Sequence, residues 1–143
     1  MTFTKSEREY LAKHRRGHLA TIGPDGAPQV KPVAYTLNSD DTIDIGGPDL
    51  SASQKYRNIQ ADARVTFVLD DEADEPVGPG GQTGRGLEVR GTAELFSLEE
   101  ELLPGFSREV IRVRARRVIA WNIDGPGPNI RDAGDGGRVR QQA

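Results

Sequence analysis

Strand-sized runs joined by tight turns dominate this sequence and exclude most helical architectures. Residues 17–22, Gly-His-Leu-Ala-Thr-Ile, read as a small-residue strand, Gly23-Pro24-Asp25-Gly26 is a strong turn signal, and residues 28–37 form a second strand, so the three make a hairpin. Asn38-Ser39-Asp40-Asp41 turns the chain into residues 42–46, where Ile43 and Ile45 alternate with polar neighbours. A helix over about 53–61 follows, and then the largely apolar run 64–69 predicts a strand buried on both faces. Residues 87–95 alternate over most of their length and resume the sheet, and two last strands are expected at 109–113 and 117–123, with Arg112, Arg114 and Arg116 pointing one way. Six or seven short strands interrupted by one helix after the third describe a mainly β (α+β) fold, a small antiparallel barrel rather than a doubly wound sheet. No G-x-G-x-x-G follows a strand and no Walker lysine motif occurs.

The remaining segments frame that barrel. Thr4 with Glu7, or Ser6 with Glu9, has capping-box spacing and predicts an N-terminal helix within residues 1–16, with Tyr10 and Leu11 facing inward. Residues 71–86 are acidic and then rich in Gly and Pro, the composition of a mobile loop. Residues 97–103 read as a short helix favoured by Glu99, Glu100 and Glu101 in its first turn, and residues 125–143 as a loop-like tail. The 143 residues fit one domain.

Charge and composition remove several function classes. With 19 basic against 22 acidic residues the net charge is −3, which argues against a nucleic-acid binder relying on a general positive field, so any basic site must be local. The absence of cysteine excludes disulfides, thiolate metal sites and a Cys nucleophile, and fits a reducing cytosol. His14 and His18 alone are too few for the usual His-based metal clusters, and no metal is expected. The charged first 16 residues do not resemble a signal peptide, and no apolar run approaches the ~20 residues of a membrane span, so a cytoplasmic protein is expected.

A local basic site is available at Ser51-Ala52-Ser53-Gln54-Lys55-Tyr56-Arg57-Asn58, where hydroxyls, an amide and two cations meet the start of a helix. First-turn N–H groups lack intrahelical partners and carry the positive end of the macrodipole, so an anion there is held by backbone and side chains together. Lys55 supplies a point charge, Arg57 a forked donor, and Ser51 or Ser53 an N-cap or hydroxyl donor. An ordinary capped surface helix with solvated cations is the competing reading.

Taken in order, 18–30 (His-Leu-Ala-Thr-Ile-Gly-Pro-Asp-Gly-Ala-Pro-Gln-Val), 43–47 (Ile-Asp-Ile-Gly-Gly), 53–59 (Ser-Gln-Lys-Tyr-Arg-Asn-Ile), 63–68 (Ala-Arg-Val-Thr-Phe-Val) and 88–95 (Glu-Val-Arg-Gly-Thr-Ala-Glu-Leu) resemble the flavin-binding split-barrel superfamily of pyridoxamine-phosphate oxidase-like proteins. The chain is similar in particular to its actinobacterial coenzyme F420-dependent branch. The resemblance implies a homodimer with two cofactor sites, each across the subunit interface. It implies that Ser51, Ser53, Gln54, Lys55 and Arg57 hold the cofactor phosphate. Gln29, Val30, Lys31, Pro32 and Val33 would line the isoalloxazine-like ring, with Lys31 favouring negative charge near its pyrimidine edge. Ile45, Gly46 and Gly47 would let the ring approach the backbone, and Trp121 would stand near it. Each has a bland counterpart: Gly46-Gly47-Pro48 as a plain turn, Trp121 as a core or interface anchor, Lys31-Pro32 as a solvated edge. His18 reads as a structural donor rather than a base, and Arg112, Arg114 and Arg116 as an exposed face within reach of an acidic cofactor tail.

The implied function is an F420-dependent reductase moving a hydride to an electron-poor C=C or C=N bond of a small organic molecule, such as a polyketide or bilin. The closing proton would come from solvent, Tyr35 or Tyr56. Pyridoxamine-phosphate oxidases carry further basic residues near the C-terminus where this chain has only the glycine-rich run 134–140, so that activity is disfavoured. An FMN-dependent oxidase or flavin reductase is the alternative enzyme. A non-catalytic carrier or sensor of deazaflavin, flavin or haem is the alternative from another class.

Overall fold

The computed structural model describes residues 2–133. In chain order the elements are α1 (Lys5–Lys13), β1 (Arg16–Ile22), β2 (Pro28–Leu37), β3 (Ile43–Gly46), a 3-10 turn (Leu50–Ala52), α2 (Gln54–Ala61), β4 (Arg64–Glu72), β5 (Gly84–Ser97), β6 (Glu109–Trp121) and β7 (Pro128–Asp132). All pairings are antiparallel: β3-β2-β1-β4-β5-β6 closes into a six-stranded barrel through β3–β6, and β7 hangs on β6. Closure removes most sheet edges, leaving those of β7 and of the first half of β2. Its interior is filled by Leu19, Ile45, Phe67, Val89 and Ile111, all at most 1% exposed.

Five expectations are corrected. β4 buries only Val65, Phe67 and Leu69, while Thr66 and Val68 are half-buried on the outer face, because the barrel has an interior on one side only. The two strands expected at 109–113 and 117–123 are one strand. The register slips where Gly91 faces Ala115 and Arg90 faces Arg117, leaving Arg116 as a bulge whose extra residue mimics a break in the alternation. The chain over 97–103 is not helical: β5 runs on to Ser97, Leu98 N donates to Arg108 O at 2.9 Å to close the β5–β6 loop, and Pro104 disfavours a helical Leu103. The tail contains β7, held because Arg131 reaches the Glu7 carboxylate and the Thr2 carbonyl (2.9 Å). Within 71–86, Asp71 and Glu72 belong to β4 and residues 84–86 to β5, so the connection narrows to 73–83, with a 3-10 turn at Pro79–Gly81. The run 134–140 lies outside the described residues.

The split that positions the candidate site follows from the registers. Along its first half β2 has only β1 as a neighbour, since β3 joins it from Ala34 to Leu37. Residues 28–33 therefore carry one unpaired edge, where Pro32, with no N–H to offer, is tolerated. α2 lies across this end of the barrel. α1 caps the opposite end, with the expected box between Thr4 and Glu7 and with Tyr10 and Leu11 buried.

Candidate functional site

α2 begins at an N-cap whose chemistry is spent within the chain. Ser53 Oγ accepts from Tyr56 N at 3.3 Å and donates to Leu50 O at 2.6 Å. Arg57 folds back over the start of the helix, donating to Ala52 O (2.7 Å) and Gln54 Oε1 (2.9 Å). Gln54 Nε2 in turn donates to Asn58 Oδ1 at 2.8 Å. Of the five residues expected to hold a phosphate, Ser53, Gln54 and Arg57 thus satisfy one another and the backbone. Ser51 stays exposed, with no side-chain hydrogen bond among the described residues, and Lys55 stays without an acidic partner.

Lys55 is the informative cation. Burial holds its ammonium below the ordinary lysine value, and repulsion from Lys31 adds to the effect. Lys31 stands on the free half of β2, on the strand face that also carries Gln29 and the buried Val33. It too lacks an acidic partner among the described residues. A half-buried ammonium repelled by a second cation is unfavourable unless an anion joins them, so the residues present fit an anionic group. Beside them, β2 presents unpaired backbone groups suited to the polar edge of a heterocycle.

The remaining predicted residues divide. Val30 and Pro32 point outward, Val30 being 59% exposed. Ile45 is fully buried in the barrel. A Cβ at Gly46 would lie 2.8 Å from Phe106 and 3.2 Å from Leu102, so the close approach there is made by the β5–β6 loop of the same chain. That loop also closes on Gly47, whose carbonyl accepts from Ser107 N (2.9 Å) and Oγ (3.1 Å). Trp121 stands at the far end of β6 from Ile111, the partner of Ile45, and lies over Gly86. Within one chain the structure therefore joins Gln29, Lys31 and Lys55, and leaves Trp121 at the opposite end.

Other candidates are reassigned by their partners. Tyr35 is 3% exposed, donates to Leu11 O at 2.6 Å, and has its phenol pushed up by burial, so it is not poised to give a proton. His18 is exposed and makes no side-chain hydrogen bond among the described residues. Arg112, Arg114 and Arg116 do share an outer face, but Arg112 grips the buried Asp44 carboxylate at 2.7 and 2.8 Å and Arg114 meets Glu94. Sequence reasoning missed Thr21 and Asn58. Both are buried, and Asn58 Nδ2 donates to Thr21 Oγ1 and Gln29 Oε1, each at 2.9 Å. The i,i+4 spacing of Gln54 and Asn58 was the available signal.

The fold agrees with comparisons to known proteins. The family profile described as pyridoxamine 5'-phosphate oxidase matches residues 3–127. The chain belongs to the pyridoxamine 5'-phosphate oxidase family. It is 36% identical over 146 residues to the 5a,11a-dehydrotetracycline/5a,11a-dehydrooxytetracycline reductase of Streptomyces rimosus, covering 96% of this chain and 99% of that one. Among solved structures, a conserved hypothetical protein of Mycobacterium tuberculosis superposes with a TM-score of 0.64 at 25% identity, over 83% of this chain and 84% of that one. A protein described as an F420 reductase superposes with a TM-score of 0.56 at 27% identity, over 77% of this chain and 94% of that one.

Proposed function

We propose that this chain is a reductase that uses a bound deazaflavin, coenzyme F420, to saturate an electron-poor C=C or C=N bond in a small polycyclic or otherwise conjugated molecule. The observation that carries the proposal is the pair Lys31 and Lys55, two cations without acidic partners among the described residues, beside the free half of β2. When bound, the reduced cofactor supplies the hydride. Lys55, with Lys31, binds the anionic part of the cofactor, and the exposed Ser51 hydroxyl is a further donor. The groups that β2 leaves unpaired on its free edge, the Val30 N–H and the carbonyls of Pro28, Val30 and Pro32, orient its ring. A fixed orientation relative to substrate is the protein's main contribution, since no side-chain nucleophile is required. The closing proton comes from solvent or Tyr56. The 36% identity to a dehydrotetracycline reductase supports a polyketide-like acceptor.

The same reading places a second copy of the chain against the outer face. Cross-strand pairs there align Pro32, His18, Val68, Glu88, Ile119 and Ile130 in one row, and Ile130 is 53% exposed. The apolar members of this mixed row need cover on a small barrel, and a homodimer would also exclude water from the ring site and bring a partner's Trp121 to it. Sedimentation should report a dimer, dissociated by Ile130→Glu.

FMN is the second cofactor reading. Titration of FMN and F420 into wild type and Lys55→Ala decides both points. The tighter ligand identifies the cofactor, and the variant should bind it about ten- to a hundredfold more weakly, as expected for a hydrogen bond to a charged group. Oxidation of the reduced cofactor by a dehydrotetracycline-type acceptor should exceed the free-cofactor rate. Unchanged affinity in Lys55→Ala would remove the proposed anchor.

A further inference from the structure

Lys55 and Asn58 are one helical turn apart on α2, and Lys31 and Gln29 are two residues apart on one face of β2. The two elements therefore meet through two neighbouring rungs. One is the bond from Asn58 Nδ2 to Gln29 Oε1 at 2.9 Å. The other is the approach of Lys55 to Lys31, which is repulsive in the absence of an anion. We propose that Asn58, acting with Gln29, is the positioning residue of the anion site: this pair fixes α2 against the free half of β2 and so sets how closely the two ammonium groups approach. The assignment rests on the reading of Lys31 and Lys55 given above.

The amide of Asn58 has no freedom to do otherwise. It is 3% exposed, both Nδ2 hydrogens are committed, to Gln29 and to Thr21, and Oδ1 accepts from Gln54 Nε2 at 2.8 Å. Through Gln54 the chain continues to Arg57 and Ala52, so the same network also holds the 3-10 turn that carries Ser51. A buried amide bonded on every side specifies one arrangement of its neighbours. Gln29 therefore acts between elements through its side chain, while its backbone pairs with Thr21 of β1.

A cofactor-free readout tests this. The sequence holds only four lysines, so their methylated ε-amino groups can be followed individually by NMR as pH is raised. In Gln29→Met, which keeps side-chain length but lacks the acceptor, and in Asn58→Ala, Lys55 should titrate at higher pH than in wild type, nearer the ordinary lysine value of 10.5. Cofactor affinity should fall roughly two- to tenfold, the effect of one neutral hydrogen bond. Thr21→Val removes the other Asn58 bond and serves as the comparison: it should lower the unfolding midpoint while leaving Lys55 where it is. Folded Gln29→Met with an unchanged Lys55 titration, or the same Lys55 displacement in Thr21→Val, would overturn the proposal. Wild type that binds neither FMN nor F420, with Lys55 still displaced in the variants, would instead remove the functional reading and leave the positioning role standing.

Discussion

The two ends of the barrel treat buried charge in opposite ways. At the α1 end the buried carboxylates have cations, Glu7 gripped by Arg131 and Asp41 by Arg8, and the partly exposed Asp71 is held by Arg85 at 2.8 and 3.1 Å. Tyr10 and His14 add further bonds to Asp71, so α1 is tied to β4, β5 and β7 by complete networks. At the α2 end the Ser53 hydroxyl and the amides of Gln54 and Asn58 are equally well satisfied, yet Lys55 and Lys31 have no acidic partner among the described residues. Paired charges at one end specify how the chain closes; the two cations at the other, without acidic partners among the described residues, are where we propose that an anion binds. The difference separates structure from function more sharply than burial alone, because both ends are half-buried and rich in polar groups.

The largest effect is expected where pairing is complete. Glu7→Gln leaves Arg131 without its carboxylate and should destabilise the fold by about 3 kcal/mol, the lower end for a broken buried pair because Arg131 retains some solvent. Chemical denaturation measures it, and cofactor affinity of the folded protein should not change. Lys55→Ala reverses the pattern: affinity falls by about 1.5 to 3 kcal/mol while the denaturation midpoint holds. A Lys55→Ala protein that unfolds as readily as Glu7→Gln would erase the distinction between the ends.

Asp71→Asn should have a smaller, pH-dependent effect. Hydrogen bonding from Arg85 holds the Asp71 carboxyl well below its ordinary value of 3.8, so the folded state favours its ionised form. The associated stability is present above 3.8 and is lost as pH falls through the lower folded-state value. With Asp71 and Arg85 each about a quarter exposed, solvent screening limits the contribution to about 1 kcal/mol. The difference in midpoint between wild type and Asp71→Asn should therefore be steady at neutral pH and shrink in acid. A gap that widens in acid would show that the ion pair is not its source.

The barrel itself was legible because alternation and turn chemistry act locally: Ile43 and Ile45 alternate, and Gly23 to Gly26 can do little but turn. What was misread depends on partners distant in sequence. β7 has almost no apolar alternation, and its strand is held by Arg131 reaching Glu7 across the whole chain. The bulge at Arg116 interrupts a period that only the register with Arg90 and Gly91 restores. At the site, the helix and its Ser53 cap were readable, whereas the fate of Arg57 was not, since nothing in its sequence says that Ala52 O and Gln54 will take its donors. Asn58 was passed over because an amide signals chemistry only once its acceptors on β1 and β2 are known.

The subtlest expectation concerns what Lys55 costs the free protein. Its ammonium is depressed by burial and by Lys31, so the folded state binds this proton less tightly than the unfolded chain does. Between the depressed value and 10.5 the unfolded state carries more protons, and stability at this site rises with pH across that window. Lys55→Met keeps the aliphatic stem, removes the charge, and should stabilise the cofactor-free protein by about 0.5 to 1 kcal/mol at neutral pH, a gain that fades above that window. Anion binding should act in the opposite direction, drawing a proton onto Lys55, so calorimetry within the window in buffers of different ionisation enthalpy should register proton uptake. A cofactor that binds there without uptake would be anchored elsewhere, and a Lys55→Met protein less stable than wild type would mean that Lys55 has a partner in the free state.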